Sequence, residues 1–182
     1  PEPVRTRIPL NATLPAVPAE RVPEVLAKYE GEIQELKIKV AEKGQSLADD
    51  IARVAAARDA LPNARLKVDA NMGYTLAGAL EALRKLCEYG IIYAEQPVAS
   101  IEDMAALRFA IAKEGLPARI AADESIRKAE DPLKVARANA ADLMVIKAAP
   151  LGGVRRALAL VEQAQLPAVV SSACLLYTSP SP

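Results

Sequence analysis

Histidine and tryptophan are both absent from this sequence, and one phenylalanine and five tyrosines are all the aromatic residues it has. Without histidine, acid–base chemistry falls to Lys, Asp, Glu, Tyr or Cys, and a metal site has no imidazole to draw on. Such a scarcity of aromatic rings excludes a base-stacking platform for single-stranded nucleic acid. Cysteine occurs only at Cys87 and Cys174, too few for a disulfide framework, so a reducing cytoplasm is the expected compartment. Net charge is absent as well: 23 Lys and Arg balance 23 Asp and Glu. No overall field draws the chain to nucleic acid or to an anionic membrane. No apolar run approaches membrane-spanning length, and the opening PEPVRTRIPL lacks the features of a signal peptide.

What remains is an apolar, aliphatic chain of 182 residues, 52% hydrophobic, enough to bury one sizeable core. Short strand-like runs alternate with helical patterns, as βα units around a parallel sheet do. The candidate strands are 8–14, 34–40, 64–70, 90–96, 118–124, 142–148 and 167–172. The helices between them are punctuated. Ser46 followed by Asp49 predicts a capping box for a helix over 47–61, with Pro62 just beyond its end. In that helix Leu47, Ile51, Val54, Ala55 and Leu61, with Arg58 as a polar break, suit one buried stripe. Thr75 opens a helix that Gly90 closes, Ser100 with Asp103 opens one that Gly115 closes, and Asp131 is read as a cap before Pro132. Cys87 falls on the apolar side of its helix and reads as core, and Asn11, Tyr74 and Arg127 read as structural. No two-residue hairpin signal follows any strand, so crossovers are favoured, and both an open doubly wound sheet and a closed (β/α) barrel fit.

The charges decide between them. Strand side chains alternate, so in LKIKV the apolar Leu36, Ile38 and Val40 share one face while Lys37 and Lys39 share the other. An ordinary half-exposed strand would point such lysines at water. The same alternation places Lys67 and Asp69 together, Glu95 with Ile91 and Tyr93 opposite Ile92 and Ala94, Asp123 with Ala121, and Lys147 with Leu143 and Val145. In five successive strands a charged residue stands at or near the C-terminal end. From Lys39 the intervals to Asp69, Glu95, Asp123 and Lys147 are 30, 26, 28 and 24 residues, close to the roughly 30 per unit of a (β/α)8 barrel. Charged groups at consecutive strand ends would converge on one barrel mouth, where barrel enzymes keep their active sites. Carboxylates from three neighbouring strands repel one another unless a cation neutralises them. Three oxygen donors with no His or Cys select a hard divalent ion, Mg²⁺ first, with Mn²⁺ as an alternative. The acids are therefore expected within about 5 Å of one another, a span one ion bridges.

Lys37-x-Lys39, Val68-Asp69-Ala70-Asn71, Glu95-Gln96-Pro97, Ala122-Asp123-Glu124-Ser125 and Ile146-Lys147, in that order, resemble the muconate-lactonizing-type branch of the enolase superfamily. Within that branch IKAAPLGGVRRAL and VVSSA look most like the o-succinylbenzoate synthases of actinobacterial type. The resemblance runs from about Ile8 to Ala173. It implies a TIM-type (β/α) barrel, Mg²⁺ held by Asp69, Glu95 and Asp123, and no other cofactor. It implies Lys39 as the base that removes a proton α to a carboxylate, Lys37 as a residue that helps hold the site, and Lys147 as the cation across the substrate. Superfamily sites are known to pair a Lys or His base with one or two Mg²⁺ ions. Gly152, Gly153, Ser171 and Ser172 match positions where backbone and hydroxyl groups meet a small-molecule carboxylate substrate. The implied reaction is a dehydration through an enolate, in menaquinone biosynthesis.

The family also carries an N-terminal capping domain and a final barrel strand. Against that pattern residues 1–7 read as a remnant of the capping-domain connection and 8–173 as an incomplete barrel of about seven strands. Residues 174–182, CLLYTSPSP, read as a disordered tail outside the family. Such a barrel is expected to have open edges at its first and seventh strands and to turn over poorly. Two readings compete with the synthase: an N-acylamino acid racemase or dipeptide epimerase using the same lysines, and a non-catalytic truncated scaffold.

Overall fold

Residues 10–171 are described by the computed structural model. Seven strands lie in chain order, each parallel to the next. They are β1 (Ala12–Leu14), β2 (Glu35–Lys39), β3 (Arg65–Asp69), β4 (Ala94–Glu95), β5 (Ile120–Ala122), β6 (Leu143–Ile146) and β7 (Ala168–Val170). The crossovers are α1 (Val22–Leu26), α2 (Leu47–Ala60), α3 (Leu76–Leu86), α4 (Ile101–Glu114), α5 (Asp131–Arg137) and α6 (Val154–Ala164). The sheet curls into part of a barrel, with β1 and β7 at its edges. On the concave face side chains meet across a skipped strand: Lys67 of β3 donates to Asn11 Oδ1 beside β1 at 2.6 Å. All seven expected strands are present, and the barrel geometry replaces the open-sheet alternative.

Period-two alternation sorts the side chains into two layers. Leu36, Ile38, Leu66, Val68, Ala94, Ile120, Met144 and Ile146 point outward and form the main core with the helices. Tyr93, Ala121, Leu143 and Val145, joined by Ile92 and Val169, make a smaller cluster on the concave side. One expected face is corrected here. Ile91 joins the outer core and Ile92 the concave cluster, because only Ala94–Glu95 of this segment is regular strand and alternation does not hold before it.

Helix punctuation follows the expected chemistry, with one exception. Ser46 and Asp49 form a reciprocal capping box, Thr75 and Ser100 cap α3 and α4, and Gly90 and Gly115 take the left-handed conformation at φ 68° and 67°. Asp131, however, is the first residue of α5 and not its cap. Its Oδ2 accepts the Arg127 and Lys128 N–H groups at 2.9 and 2.8 Å, so it ties down the turn before the helix. Arg127 contributes only its backbone there, and Cys87 is partly buried against the core.

The stripe expected on α2 is also corrected. Its buried residues are Asp50, Arg53, Val54 and Ala57, while Leu47, Ile51 and Leu61 are partly buried. The arginine is fully enclosed and its charge is matched by Asp50, with Nη1 to Oδ1 at 2.8 Å. Arg58, the expected polar break, donates to the Ala64, Pro62 and Tyr89 carbonyls at 2.8, 3.0 and 3.0 Å. It ties the loop after α2 to the turn after α3 by satisfying their carbonyls.

Candidate active site

The parallel register sets the charged strand ends side by side. Lys39 lies opposite Asp69, and Asp69 opposite Glu95. The carboxylates of Asp69, Glu95 and Asp123 are buried, at 1%, 1% and 6% exposure. Lys37, Lys39 and Lys147 remain part-open, so the face is acidic at its floor and basic at its rim.

Lys37 Nζ lies 3.1 Å from both Asp69 Oδ2 and Glu95 Oε1, a bridge from β2 over β3 to β4. Lys39 Nζ donates to Asp69 Oδ2 at 2.6 Å and to Asn71 Oδ1 at 2.6 Å. On the other flank Lys147 Nζ reaches both oxygens of Asp123, at 2.6 and 2.8 Å. The lysines of LKIKV therefore face the concave mouth and its acids. Burial opposes the charge on Lys37, but Glu95 and Asp69 outweigh it and hold the amine above the ordinary lysine range. Burial likewise opposes the Asp69 carboxylate, yet the Lys39 hydrogen bond and the two ammonium charges keep it below the usual range. Glu95 goes the other way. Burial and the neighbouring Asp69 charge push its carboxyl up to about 7 in spite of Lys37.

Among the described residues no group of three or more His, Cys, Asp or Glu side chains is arranged to hold a metal ion. Ammonium groups lie against one or both oxygens of each acid. Gly152 and Gly153 form the turn before α6 at φ 88° and 102°. Their N–H groups donate to the Ala149 and Ala148 carbonyls at 3.1 and 2.8 Å, so both are spent inside the turn. Ser171 follows β7, with its N–H on the Ile146 carbonyl at 2.9 Å. Ser172 lies outside the described residues.

Two residues of the site were quoted in motifs without being given a role. Asn71, at φ 43°, receives Lys39 and passes its amide on to Glu124 Oε1 at 2.7 Å. Gln96, fully buried, accepts the N–H groups of Asp123 and Ser125 at 3.0 Å each, and donates to Ser125 Oγ at 2.8 Å. It fixes the backbone that carries Asp123. Their positions beside Asp69 and Glu95 in the sequence were the available signal.

Residues 19–175 match the Enolase C-terminal domain-like family. The chain belongs to that family. The o-succinylbenzoate synthase of Mycolicibacterium smegmatis is 56% identical over 174 residues, which is 95% of this chain and 52% of that protein. A mandelate racemase/muconate lactonizing family protein from Azoarcus sp. EbN1 superposes with a TM-score of 0.76 at 32% identity, covering 91% of this chain and 44% of the other. The L-talarate dehydratase of Polaromonas sp. JS666, solved with Mg and L-glucarate, gives a TM-score of 0.74 at 26% identity, covering 91% and 48%. This enolase-type chain thus spans about half the length of the curated relatives it matches. Among its described residues no helix is long and apolar enough to cross a membrane.

Proposed function

We propose that this chain carries the catalytic face of an o-succinylbenzoate synthase, a Mg²⁺-dependent carbon–oxygen lyase of menaquinone biosynthesis. The observation that carries the reading is the pair of lysines on opposite flanks of three buried acids, Lys39 at Asp69 and Lys147 at Asp123. The identity to a named synthase over nearly the whole chain supports the choice within the family.

In donor chemistry the residues fit the metal. Asp69, Glu95 and Asp123 offer oxygen alone, the donor chemistry of Mg²⁺ or Mn²⁺. Burial and the Asp69 charge hold the Glu95 carboxyl up, and a divalent cation beside it would offset both. A relative solved with Mg adds support. Bound there, the ion would supply Lewis-acid stabilisation of negative charge on the substrate carboxylate.

The chain's own groups do the rest. Lys39 Nζ takes the proton α to the substrate carboxylate, and the C–H electron pair passes into an enolate. Asn71 Oδ1 and Asp69 Oδ2, both 2.6 Å from that nitrogen, fix its direction. Lys147, across the mouth, places its ammonium where the enolate charge develops. The enolate then expels the β-hydroxyl from the same face, the proton on Lys39 accompanies the departing hydroxide as water, and the ring becomes aromatic. Residues 1–7 and 174–182, read from the sequence as a capping-domain connection and a tail, lie outside the described residues.

The test is a chimaera in which this chain replaces its counterpart in the Mycolicibacterium smegmatis relative. It is assayed with Mg²⁺ for dehydration of the cyclohexadiene carboxylate and for α-proton exchange of N-succinylamino acids. Dehydration is expected, with Lys39→Ala lowering it by about 10²–10⁴-fold. Full activity in Lys39→Ala would remove the base. Exchange without dehydration would replace the synthase by an N-acylamino acid racemase, the second reading, which the placement of lysines on two opposite flanks also supports.

A further inference from the structure

Behind Lys39, on the helix side of the sheet, lies a polar assembly that plays no part in the chemistry above. Arg53 is fully buried in α2. Its Nη1 donates to the Lys39 carbonyl at 3.0 Å and to Asp50 Oδ1 at 2.8 Å, and its Nε donates to the Val17 carbonyl at 2.6 Å. Nη2 donates to Gln45 Oε1. Asp50, 1% exposed, turns its other oxygen to the Ala41 N–H at 2.9 Å and to the Tyr74 hydroxyl at 2.6 Å. Beyond their mutual contact, the polar atoms of this pair thus meet backbone or side chain from the loops that follow β1, β2 and β3.

The last two of those loops carry the partners of the proposed base. Lys39 ends β2, and Asp69 and Asn71 bracket the end of β3. Ala41 is held in the left-handed region at φ 58°, and the Asp50 carboxylate on its N–H stabilises that bend. Tyr74 brings the β3 loop to the same carboxylate. The loops touch so closely that a Cβ on Gly73 would stand 2.6 Å from the Ala41 carbonyl oxygen. A surface ion pair could tolerate drift, but this one is enclosed and cannot shift without orphaning buried charge.

We infer that Asp50, Arg53 and Tyr74 form a buried clamp that sets where Lys39 stands, gripping its backbone from behind while Asp69 and Asn71 hold its amine in front. They are positioning residues, and their role in turnover rests on the reading of Lys39 as the base. A misplacement of about 1 Å in a reacting group can cost on the order of a hundredfold in rate. That is the leverage such a clamp has.

Tyr74→Phe removes one hydroxyl and keeps the ring. Asp50→Asn keeps the shape and removes the charge that matches Arg53. In the 182-residue chain, amine acetylation followed by mass spectrometry reads Lys39 against Lys147, which sits on the far flank and has no contact with the clamp. The expected result is a rise of about threefold or more in the Lys39-to-Lys147 labelling ratio in Tyr74→Phe, and a larger rise in Asp50→Asn. Simple loosening of the fold would raise both lysines together and leave the ratio unchanged. A ratio within experimental error of the parent in a cooperatively folding Tyr74→Phe chain overturns the clamp. In the chimaera, Tyr74→Phe is expected to lower kcat about tenfold or more with KM within about twofold. A change confined to KM would also overturn it. If the parent chimaera showed neither dehydration nor exchange, the proposed function would fall, and the labelling ratio would still decide whether the clamp holds Lys39.

Discussion

Glycine 73 shows how narrowly single positions are specified near the mouth. A methyl group there would fall 2.6 Å from the Ala41 carbonyl oxygen, 2.7 Å from the Ala41 Cβ and 2.9 Å from the Ala70 carbonyl oxygen. The first and last of these are backbone atoms, so no side-chain rotation can relieve the contact. Gly73→Ala is expected to destabilise the chain by about 1–3 kcal/mol, the usual cost of forcing extra volume into a packed site. A urea titration checks this: the midpoint should fall while the slope stays constant, and an unmoved midpoint would mean that the loops are not in contact. At this scale the sequence is a partial guide. Lys37, Lys39, Asp69, Glu95, Asp123 and Lys147 can be placed on one face because strands have a fixed period of two. Which oxygen each lysine reaches cannot be read, since that depends on the curl and register of several strands at once. Asn71 and Gln96 were visible as motif letters, but their partners Glu124 and Ser125 come from another strand end.

Helix α2 illustrates the scale of the element. Its start was legible because a capping box is local: Ser46 N–H donates to Asp49 Oδ2 at 2.7 Å, and Asp49 N–H to Ser46 Oγ at 3.3 Å. Ser46→Ala is expected to cost about 1 kcal/mol. A thermal melt should report the loss as a fall in Tm, and an unmoved Tm would mean that the box adds nothing to the fold. The buried face of the same helix was not legible. Counting apolar residues picks Leu47, Ile51 and Leu61, but tertiary contacts bury Asp50 and Arg53 instead, because the loops after β2 and β3 present a carbonyl, an N–H and a hydroxyl that need partners. Charged residues are almost never fully buried unless paired, so an i,i+3 Asp–Arg pair inside an apolar stripe was the signal to weigh. Strand β4 was overestimated for a related reason. Ile91, Ile92 and Tyr93 read as strand by composition, yet regular pairing begins only at Ala94.

At the scale of the whole molecule, order and direction were readable and the pairing of each acid with a lysine was not. The seven strands run parallel in chain order, as intervals of 24 to 30 residues between charged strand ends implied. The three acids share a rim and each is paired with a lysine there; among the described residues they form no metal-ligand cluster. If Asp69, Glu95 and Asp123 hold Mg²⁺ as proposed, the ion binds the folded chain alone and must stabilise it. At about a hundred times its dissociation constant the gain is about 2.7 kcal/mol, and each kcal/mol raises Tm by about 2–4 °C for a chain of this size. A melt with and without MgCl₂ should show the rise, and Asp123→Ala should abolish it. An equal rise in parent and variant would place the ion elsewhere.

The two layers of this sheet divide labour in a way that bears on descent. Cohesion resides in the outward row of Leu36, Ile38, Leu66, Val68 and Ile120, while the groups proposed to react stand in the inward row that ends at the rim. Adjacent residues of one strand thus stand in different surroundings, one in the core and the next at the mouth. A lineage could trade one transformation for another by rewriting alternate letters, with the wall beneath left standing.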